Sequence, residues 1–375
     1  FRRVLFRSGE RRVGVHCQTA ASGDVDAVAK CCDGDIRAGS AHQVDGGGCL
    51  DFFKTLRQDC ENGRHAMKLP RMNADADGIF SGKRLVIFGC GYVGAEVARQ
   101  AVARGVRVTA LTRNEAKAEA LRADGVEVVV ADLASDAWHG RIVGGADFVL
   151  NCVSSGGGGV EGYVRSYLEG TESILTWAHA TGAAGTLIYT SSTSVYPQGG
   201  GAVVDETAAT DRLAERPKVL LETEDLIAGT GRTSPRRAAG RWFILRLAGI
   251  YGPSRANLVE QVRSGEVAGR GEHRLNLAHR DDIAAAIWAA FGAPSSVADD
   301  IFNVADDTPT PKAEVAAWLA SRLGVPVPQF TGEPMSGRRA VTPDRVISAA
   351  KIKRVLGWRP RYPTFRDGYE KMLSR

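Results

Sequence analysis

The stretch that decides the fold is RLVIFGCGYVG, residues 84–94, and it continues as AEVARQAVAR over residues 95–104. The first five residues are an apolar run of strand length. Residues 95–104 carry apolar positions at helical spacing and stop at Gly105, a common helix terminator. A second apolar run, residues 106–111, follows that glycine. The order strand, glycine turn, helix and strand predicts a βαβ unit.

The three glycines of the turn have separate physical tasks. Gly89 permits the tight turn out of the strand, Gly91 lets the backbone approach a diphosphate with no Cβ in the way, and Gly94 allows close helix–sheet packing. The helix that follows begins with free N–H groups, those of Tyr92 and Val93 among them, and with the positive end of its dipole. The turn therefore predicts a dinucleotide site that includes residues 89–94.

The residues after the second strand indicate which dinucleotide is bound. An acidic side chain there would bond the ribose 2′-hydroxyl of NAD, and residues 111–114, Leu-Thr-Arg-Asn, contain none. Arg113, beside Thr112, can instead pair with the 2′-phosphate of NADP. The sequence thus predicts NADP rather than NAD, and the alternative is that Arg113 is a solvated arginine on a surface loop.

The alternation of strands and helices continues along the chain. Apolar runs of strand length cover residues 126–130, 148–153 and 186–189, and a helical segment covers residues 161–181. This order predicts an α/β fold, a doubly wound parallel sheet of the Rossmann type, with ligands at the carboxyl ends of its strands. Asp132 and Leu133 follow the third strand, where Asp132 can reach the adenine amino group, and Val153 ends the fourth.

The chain divides into three parts by pattern. Residues 1–80 lack helical or strand periodicity and are dense in Gly, Asp and Arg. We expect them to be a poorly ordered leader, either a natural extension or non-native sequence ahead of a start at Met67 or Met72. Residues 81–250 are assigned to the dinucleotide-binding domain, and residues 251–375 to a smaller C-terminal lobe that closes over the substrate.

Composition argues against several classes of function. The 48 Lys and Arg against 43 Asp and Glu leave a net charge of +5, which gives no reason to expect nucleic acid or an acidic membrane as partner. No apolar segment has the length of a membrane span or the form of a signal peptide, so a cytoplasmic location is expected. The 7 Cys contain no CxxC pair, and no metal site is predicted.

Several motifs in a fixed order make residues 83–375 resemble the short-chain dehydrogenase/reductase superfamily. Besides the glycine turn, they are YTSSTSVY at 189–196, ILRLAGIYGP at 244–253, HRDDI at 279–283 and LGW at 356–358. The resemblance is to the extended and atypical branches, the NAD(P)-dependent sugar-nucleotide epimerase/dehydratase-like proteins. It implies a small-molecule substrate with a hydroxyl or carbonyl group, sugar nucleotides among them, and a homodimer.

The resemblance also implies a catalytic set, which this chain matches only in part. Ser192 matches the serine that follows the fifth strand, and Lys218 matches the lysine that binds the nicotinamide ribose. Ala214 stands four residues earlier, where the family has its catalytic tyrosine. Another acid must then supply the proton, and the candidates are Tyr196, Tyr167, Tyr163 and Tyr251. The alternatives are that Ser192 caps the strand exit, that Lys218 is exposed, and that the tyrosines are packing residues.

These observations lead to two hypotheses about function. The first is an NAD(P)-dependent oxidoreductase or epimerase/dehydratase-like enzyme, in which Ser192, Lys218 and Tyr196 carry the chemistry. The second is a non-catalytic NADP(H)-binding sensor, which the missing tyrosine suggests. Substrate-dependent oxidation of NADPH distinguishes them, because a sensor binds the cofactor without turning it over.

Overall fold

The computed structural model describes residues 78–229, 238–334 and 342–374, and the backbone of residues 2–8 and 11–17. The chain separates into two compact units, Phe1–Arg71 and Met72–Arg375. In the first unit, strands β1 (Arg2–Ser8) and β2 (Arg11–Cys17) form an antiparallel hairpin. The remainder of the predicted leader, up to residue 77, lies outside the described residues.

A seven-stranded parallel sheet forms the centre of the second unit. In chain order its strands are β3 (Arg84–Phe88), β4 (Arg107–Thr112), β5 (Glu127–Val130), β6 (Phe148–Asn151), β7 (Ala184–Ser192), β8 (Ala239–Leu247) and β9 (Asp300–Val304). Their spatial order is β9-β8-β7-β6-β3-β4-β5. The order reverses between β3 and β6, where a doubly wound sheet opens its ligand crevice.

Helices cover both faces of this sheet and build the C-terminal lobe. They are α1 (Tyr92–Ala103), α2 (Glu115–Ala123), α3 (Gly159–Tyr163), α4 (Gly170–Thr181), α5 (Glu215–Ala228), α6 (Asn257–Ser264), α7 (Arg280–Phe291), α8 (Lys312–Leu323), α9 (Ala350–Leu356) and α10 (Phe365–Leu373). A π-helical segment, Val164–Glu169, joins α3 to α4. Within the described ranges, no helix combines the length and the apolar character needed to cross a membrane.

The central strands are buried on both faces, as a parallel sheet between helices requires. Leu85 and Ile87 of β3 are fully buried in a cluster with side chains of α1 and α7. Val86 and Phe88 point the other way, where the Phe88 ring meets Trp177 edge-on with centroids 5.6 Å apart. Two apolar layers therefore enclose the sheet, which confirms the predicted Rossmann fold.

The C-terminal part contributes both to the sheet and to a separate small core. Strand β9 pairs in parallel with β8, so residues beyond 250 complete the central sheet. Helices α6, α8 and α10 pack around Tyr251, Val262, Leu319 and Phe365, which are all buried. Short two-stranded pairs link these parts: Gly249–Tyr251 with Leu277–His279, Glu266–Val267 with Gln329–Phe330, Arg274–Leu275 with Thr310–Pro311, and Ala202–Val204 with Arg345–Ile347.

Candidate dinucleotide site

A cavity of about 370 Å³ opens at the carboxyl ends of β3, β4, β5 and β6. Seven of the residues predicted to bind the cofactor line it: Gly89, Gly91, Thr112, Arg113, Asp132, Leu133 and Val153. The sequence reasoning missed other lining residues, among them Lys117, Ser154, Gly156, Arg165 and Ser166. The structure thus brings together side chains from four strand exits, the edge at which a doubly wound sheet binds its ligands.

The glycine turn divides into two glycines that the fold requires and one that leaves open space. Gly89 has φ +92°, and a Cβ there would lie 2.6 Å from the backbone N and Cα of Val153. A Cβ on Gly94 would lie 2.5 Å from the carbonyl oxygen of Gly89. Around a Cβ on Gly91, in contrast, no heavy atom lies within 4 Å. Because Gly91 lines the cavity, its missing side chain leaves room for a ligand.

The start of α1, directly after the cavity-lining Gly91, has backbone donors without an acceptor inside the helix. Gly91 is the N-cap residue, and no side chain caps the helix. The amides of Tyr92, Val93 and Gly94 belong to the first turn, where no intrahelical acceptor exists. These three predicted residues are not among those that line the cavity. The Tyr92 hydroxyl donates to the carbonyl oxygen of Pro253 at 2.7 Å, and Val93 is buried. Residues 92–94 therefore fit a diphosphate through their backbone alone.

Two cations stand at the end of the cavity formed by the β4 exit. Arg113 and Lys117 both line it; Arg113 precedes the N-cap residue of α2, and Lys117 lies in the first turn of that helix. The Asn114 side chain between them accepts a hydrogen bond from the Lys117 amide at 2.9 Å and so caps α2. The Arg113 guanidinium packs against the loop after β6, since a Cβ on Gly156 would lie 3.2 Å from it. Lys117 could have been found from the sequence as a cation three residues after Asn114, a typical N-cap residue, and so in the first turn of the helix that follows the strand exit.

Asp132 is held in place by an arginine from another element. Its carboxylate accepts from the Arg165 guanidinium at 2.5 Å and from the Ala134 amide at 3.2 Å. Burial acts to raise the pKa of Asp132, but these hydrogen bonds outweigh it and hold the pKa below its usual value. The carboxylate is therefore charged at neutral pH, beside Leu133, where an adenine amino group can donate to it.

Two of the predicted catalytic residues lie outside the cavity lining. The Ser192 hydroxyl accepts from the Ser194 amide at 3.1 Å and caps the short 3₁₀ turn Thr193–Val195. The Lys218 ammonium lies 3.8 Å from the Glu222 carboxylate, and its side chain is 69% exposed. Both arrangements match the alternatives of a strand-exit cap and an exposed lysine. Catalytic roles for Ser192 and Lys218 stay predictions.

The third predicted catalytic residue, Tyr196, belongs to a buried polar network. Its hydroxyl donates to the Asn303 side chain at 2.8 Å and accepts from Arg246 at 2.9 Å. Arg246 in turn pairs with Glu224 at 2.6 Å, with both side chains at most 5% exposed. The Glu224 carboxylate also accepts from the Ser191 hydroxyl at 2.6 Å. These contacts favour a structural role for Tyr196, which joins β7, β8, β9 and α5.

Comparison with known proteins agrees with this geometry. Residues 85–305 match the NAD dependent epimerase/dehydratase family. Protein YeeZ of Escherichia coli (strain K12) is 30% identical over 287 residues, which cover 75% of this chain and 97% of YeeZ. The 3-diazoavenalumate denitrifying reductase of Streptomyces sp is 28% identical over 228 residues, 54% of this chain and 70% of that protein.

A solved structure shows the same fold. MoeE5, determined in complex with UDP-glucose and NAD, superposes with a TM-score of 0.66 at 18% identity, over 78% of this chain and 97% of MoeE5. The segment that matches the family contains the glycine turn, the strands of the central sheet except for Arg84 at the start of β3, and every residue that lines the cavity. The chain is a member of the NAD-dependent epimerase/dehydratase family.

Proposed function

We propose that this protein is an NADP-preferring oxidoreductase or epimerase/dehydratase-like enzyme that acts on a small substrate with a hydroxyl or carbonyl group. The observation that carries the proposal is the cavity itself. It has open space at Gly91 before an uncapped helix, and two cations, Arg113 and Lys117, line it at the β4 exit. When bound, the nicotinamide dinucleotide would supply or accept a hydride.

Each group of the cofactor has a fitting partner in this chain. The amides of residues 92–94 hold the diphosphate, and the charged Asp132 accepts from the adenine amino group. Leu133 and Val153 supply apolar contact for the adenine. Arg113, Lys117 and the neighbouring Thr112 bind the 2′-phosphate of NADP. Two cations beside one phosphate favour NADP over NAD, because the 2′-hydroxyl of NAD gives them no charge to neutralise.

A binding comparison tests the cofactor preference. Calorimetric titration with NADPH and with NADH is expected to show at least tenfold tighter binding of NADPH. Arg113→Ala removes most of that ratio and leaves the affinity for NADH within twofold. Arg122→Ala is the matched control, because Arg122 lies at the other end of α2 and pairs with Glu115 at 3.0 Å on the surface. Equal affinities for the two cofactors in the unmodified protein would refute the preference.

A sensor without catalysis is the second candidate function. Ala214 supports it, because this residue is the N-cap of α5 and carries no proton to donate. The outward position of Lys218 supports it as well. A sensor binds NADPH with no carbonyl-dependent oxidation of it, so turnover of one carbonyl substrate removes this candidate.

The cellular context also follows from the proposal. We expect a cytoplasmic protein, and a homodimer as the family resemblance implies. Light scattering coupled to size exclusion tests the dimer, and a single mass near the 39.9 kDa of one chain would contradict it.

A further inference from the structure

A proton donor is missing from the place where the family resemblance expects it. The reduction of a carbonyl needs an acid beside the carbonyl oxygen. With alanine at position 214, another phenol is the natural substitute. The chain has 8 tyrosines, and all of them lie in the part that the structure describes.

The surroundings exclude most of these tyrosines as donors. The hydroxyls of Tyr92 and Tyr196 are hydrogen-bonded, as described above. The rings of four more are buried at 7% exposure or less: Tyr189, Tyr251, Tyr362 and Tyr369. Burial raises the pKa of Tyr167 to about 12, and its hydroxyl faces the Ser155 amide. This leaves Tyr163, which is half-buried and makes no hydrogen bond to another described residue.

Tyr163 follows a run of glycines that borders the cavity at Gly156. Gly156, Gly157, Gly158 and Gly159 all have positive φ, from +62° to +116°. The loop after β6 can therefore fold back on α3, and a Cβ on Gly162 would lie 2.0 Å from the Gly157 carbonyl oxygen. Tyr163 ends α3, directly before the segment whose Arg165 and Ser166 line the cavity. Its ring packs on Tyr167 with centroids 5.1 Å apart.

Helix α5 brings a cation to this ring. The Arg216 guanidinium lies 5.4 Å from the centroid of the Tyr163 ring. Arg216, Leu220 and Glu224 are spaced four residues apart and so share one face of the helix. That face turns toward the sheet, because Glu224 bonds Ser191 at the β7 exit and Arg246 in β8. Lys218 lies on the exposed face, so α5 presents Arg216, rather than the predicted lysine, to the Tyr163 ring.

We propose that Tyr163 is the proton donor to the substrate carbonyl and that Arg216 is its positioning residue. The inference rests on the proposed function. The carbonyl carbon receives a hydride from the reduced nicotinamide, and the π electron pair moves onto oxygen. That oxygen takes the proton from the Tyr163 hydroxyl, and the phenolate left behind is reprotonated by water. The Arg216 charge over the ring stabilises the negative charge as it develops.

Chemical labelling tests the position of Tyr163 without any substrate. N-acetylimidazole acetylates accessible phenols, and peptide mass spectrometry identifies the modified residue. Tyr163 is expected to be acetylated, with at least fivefold slower labelling when NADPH saturates the protein. Buried Tyr362 is the internal control and is expected to remain unlabelled until the protein unfolds. An unlabelled Tyr163, or a labelling rate that NADPH leaves unchanged, would overturn the assignment.

Variants test its role. With 9,10-phenanthrenequinone as the carbonyl probe, Tyr163→Phe is expected to lower kcat at least 100-fold, with the NADPH Kd within twofold of the unmodified protein. Arg216→Ala is expected to lower kcat at least tenfold with little change in KM, and Arg216→Lys to restore most of it. The matched controls, Tyr362→Phe and Arg354→Ala, keep full turnover; Arg354 is an exposed residue of α9.

The outcomes separate this inference from the proposed function. Failure of the unmodified protein to bind NADPH removes the proposed function itself. Intact NADPH binding with unchanged kcat in Tyr163→Phe overturns the inference alone, and so does an Arg216→Lys variant no better than Arg216→Ala. If the bound enzyme turns over no quinone, the acetylation result decides.

Discussion

Replacing Gly89 and Gly91 by alanine, one at a time, should separate the fold from the ligand site. At Gly89 the new Cβ would sit 2.6 Å from the Val153 backbone, in a residue with φ +92°. Strained backbone costs roughly 1–3 kcal/mol, and overpacking costs a further ~1–3 kcal/mol. The midpoint of the sum is about 4 kcal/mol, and at roughly 2–4 °C per kcal/mol the Tm of Gly89→Ala falls by about 8–16 °C.

Gly91→Ala is expected to behave in the opposite way. Its φ of −85° lies outside the left-handed region that favours glycine, and its Cβ would meet no heavy atom within 4 Å. The Tm should therefore stay within about 2 °C of the unmodified protein, since surface substitutions typically change stability by roughly 0.5 kcal/mol or less. The methyl group would occupy space that we assign to the diphosphate, so the NADPH Kd should rise at least tenfold.

Differential scanning calorimetry and isothermal titration on the two variants give both quantities. A Gly91→Ala protein that binds NADPH as tightly as the unmodified one would refute the assignment of this space to the diphosphate. A Gly89→Ala protein with unchanged Tm would refute the steric argument for the turn.

Three further predictions concern charges. Lys117→Ala should weaken the binding of NADPH severalfold and leave the binding of NADH unchanged. If calorimetric titration shows both affinities reduced equally, Lys117 does not bind the 2′-phosphate. Glu224→Ala should lower the free energy of unfolding by roughly 3–5 kcal/mol in urea, because it leaves the Arg246 charge buried and unpaired; a loss under about 1 kcal/mol would contradict the network. Burial raises the pKa of Asp306 to about 7, so the folded state favours its protonated form and stability falls as the pH rises from about 4 through 7. Asp306→Asn should remove this pH-dependent loss in the free energy of unfolding, which is at most about 4 kcal/mol. Parallel curves of Tm against pH for the two proteins would show that Asp306 does not titrate between about pH 4 and 7.

The cofactor half of the site was predictable because its signals are local. The strand, the turn and the helix of residues 84–104 lie together in the sequence, and each glycine has a task that its spacing reveals. Lys117 and Arg165 were missed for different reasons. Lys117 lies in the first turn of the helix that Asn114 begins, a position that the sequence shows. Arg165, in contrast, reaches Asp132 from a helix 33 positions further along the chain.

The catalytic half was not predictable in the same way. Which face of α5 turns toward the sheet depends on the Glu224–Arg246 ion pair, a contact between residues of different elements. Matching the family's spacing selected Lys218, which the structure places at the surface. The predicted helix over residues 161–181 also misses the π-helical segment Val164–Glu169, which changes the direction of the side chains around Tyr163.

The central sheet extends beyond the predicted dinucleotide-binding domain for a similar reason. Strand β9 (Asp300–Val304) begins with an aspartate and holds an asparagine, so its composition gives little strand signal. It joins the sheet because Ile301 to Val304 register with Ile244 to Leu247 of β8. Long-range pairing of this kind leaves no periodicity in the segment itself.

The central claim is that backbone amides at the start of α1 hold the diphosphate of a nicotinamide dinucleotide. The most direct measurement is an amide-detected NMR titration of the ¹⁵N-labelled protein with NADPH. Saturating shifts are expected at the amides of Tyr92, Val93 and Gly94, together with Arg113 and Lys117. Binding that leaves residues 92–94 unshifted, or no binding at millimolar NADPH and NADH, would contradict the account.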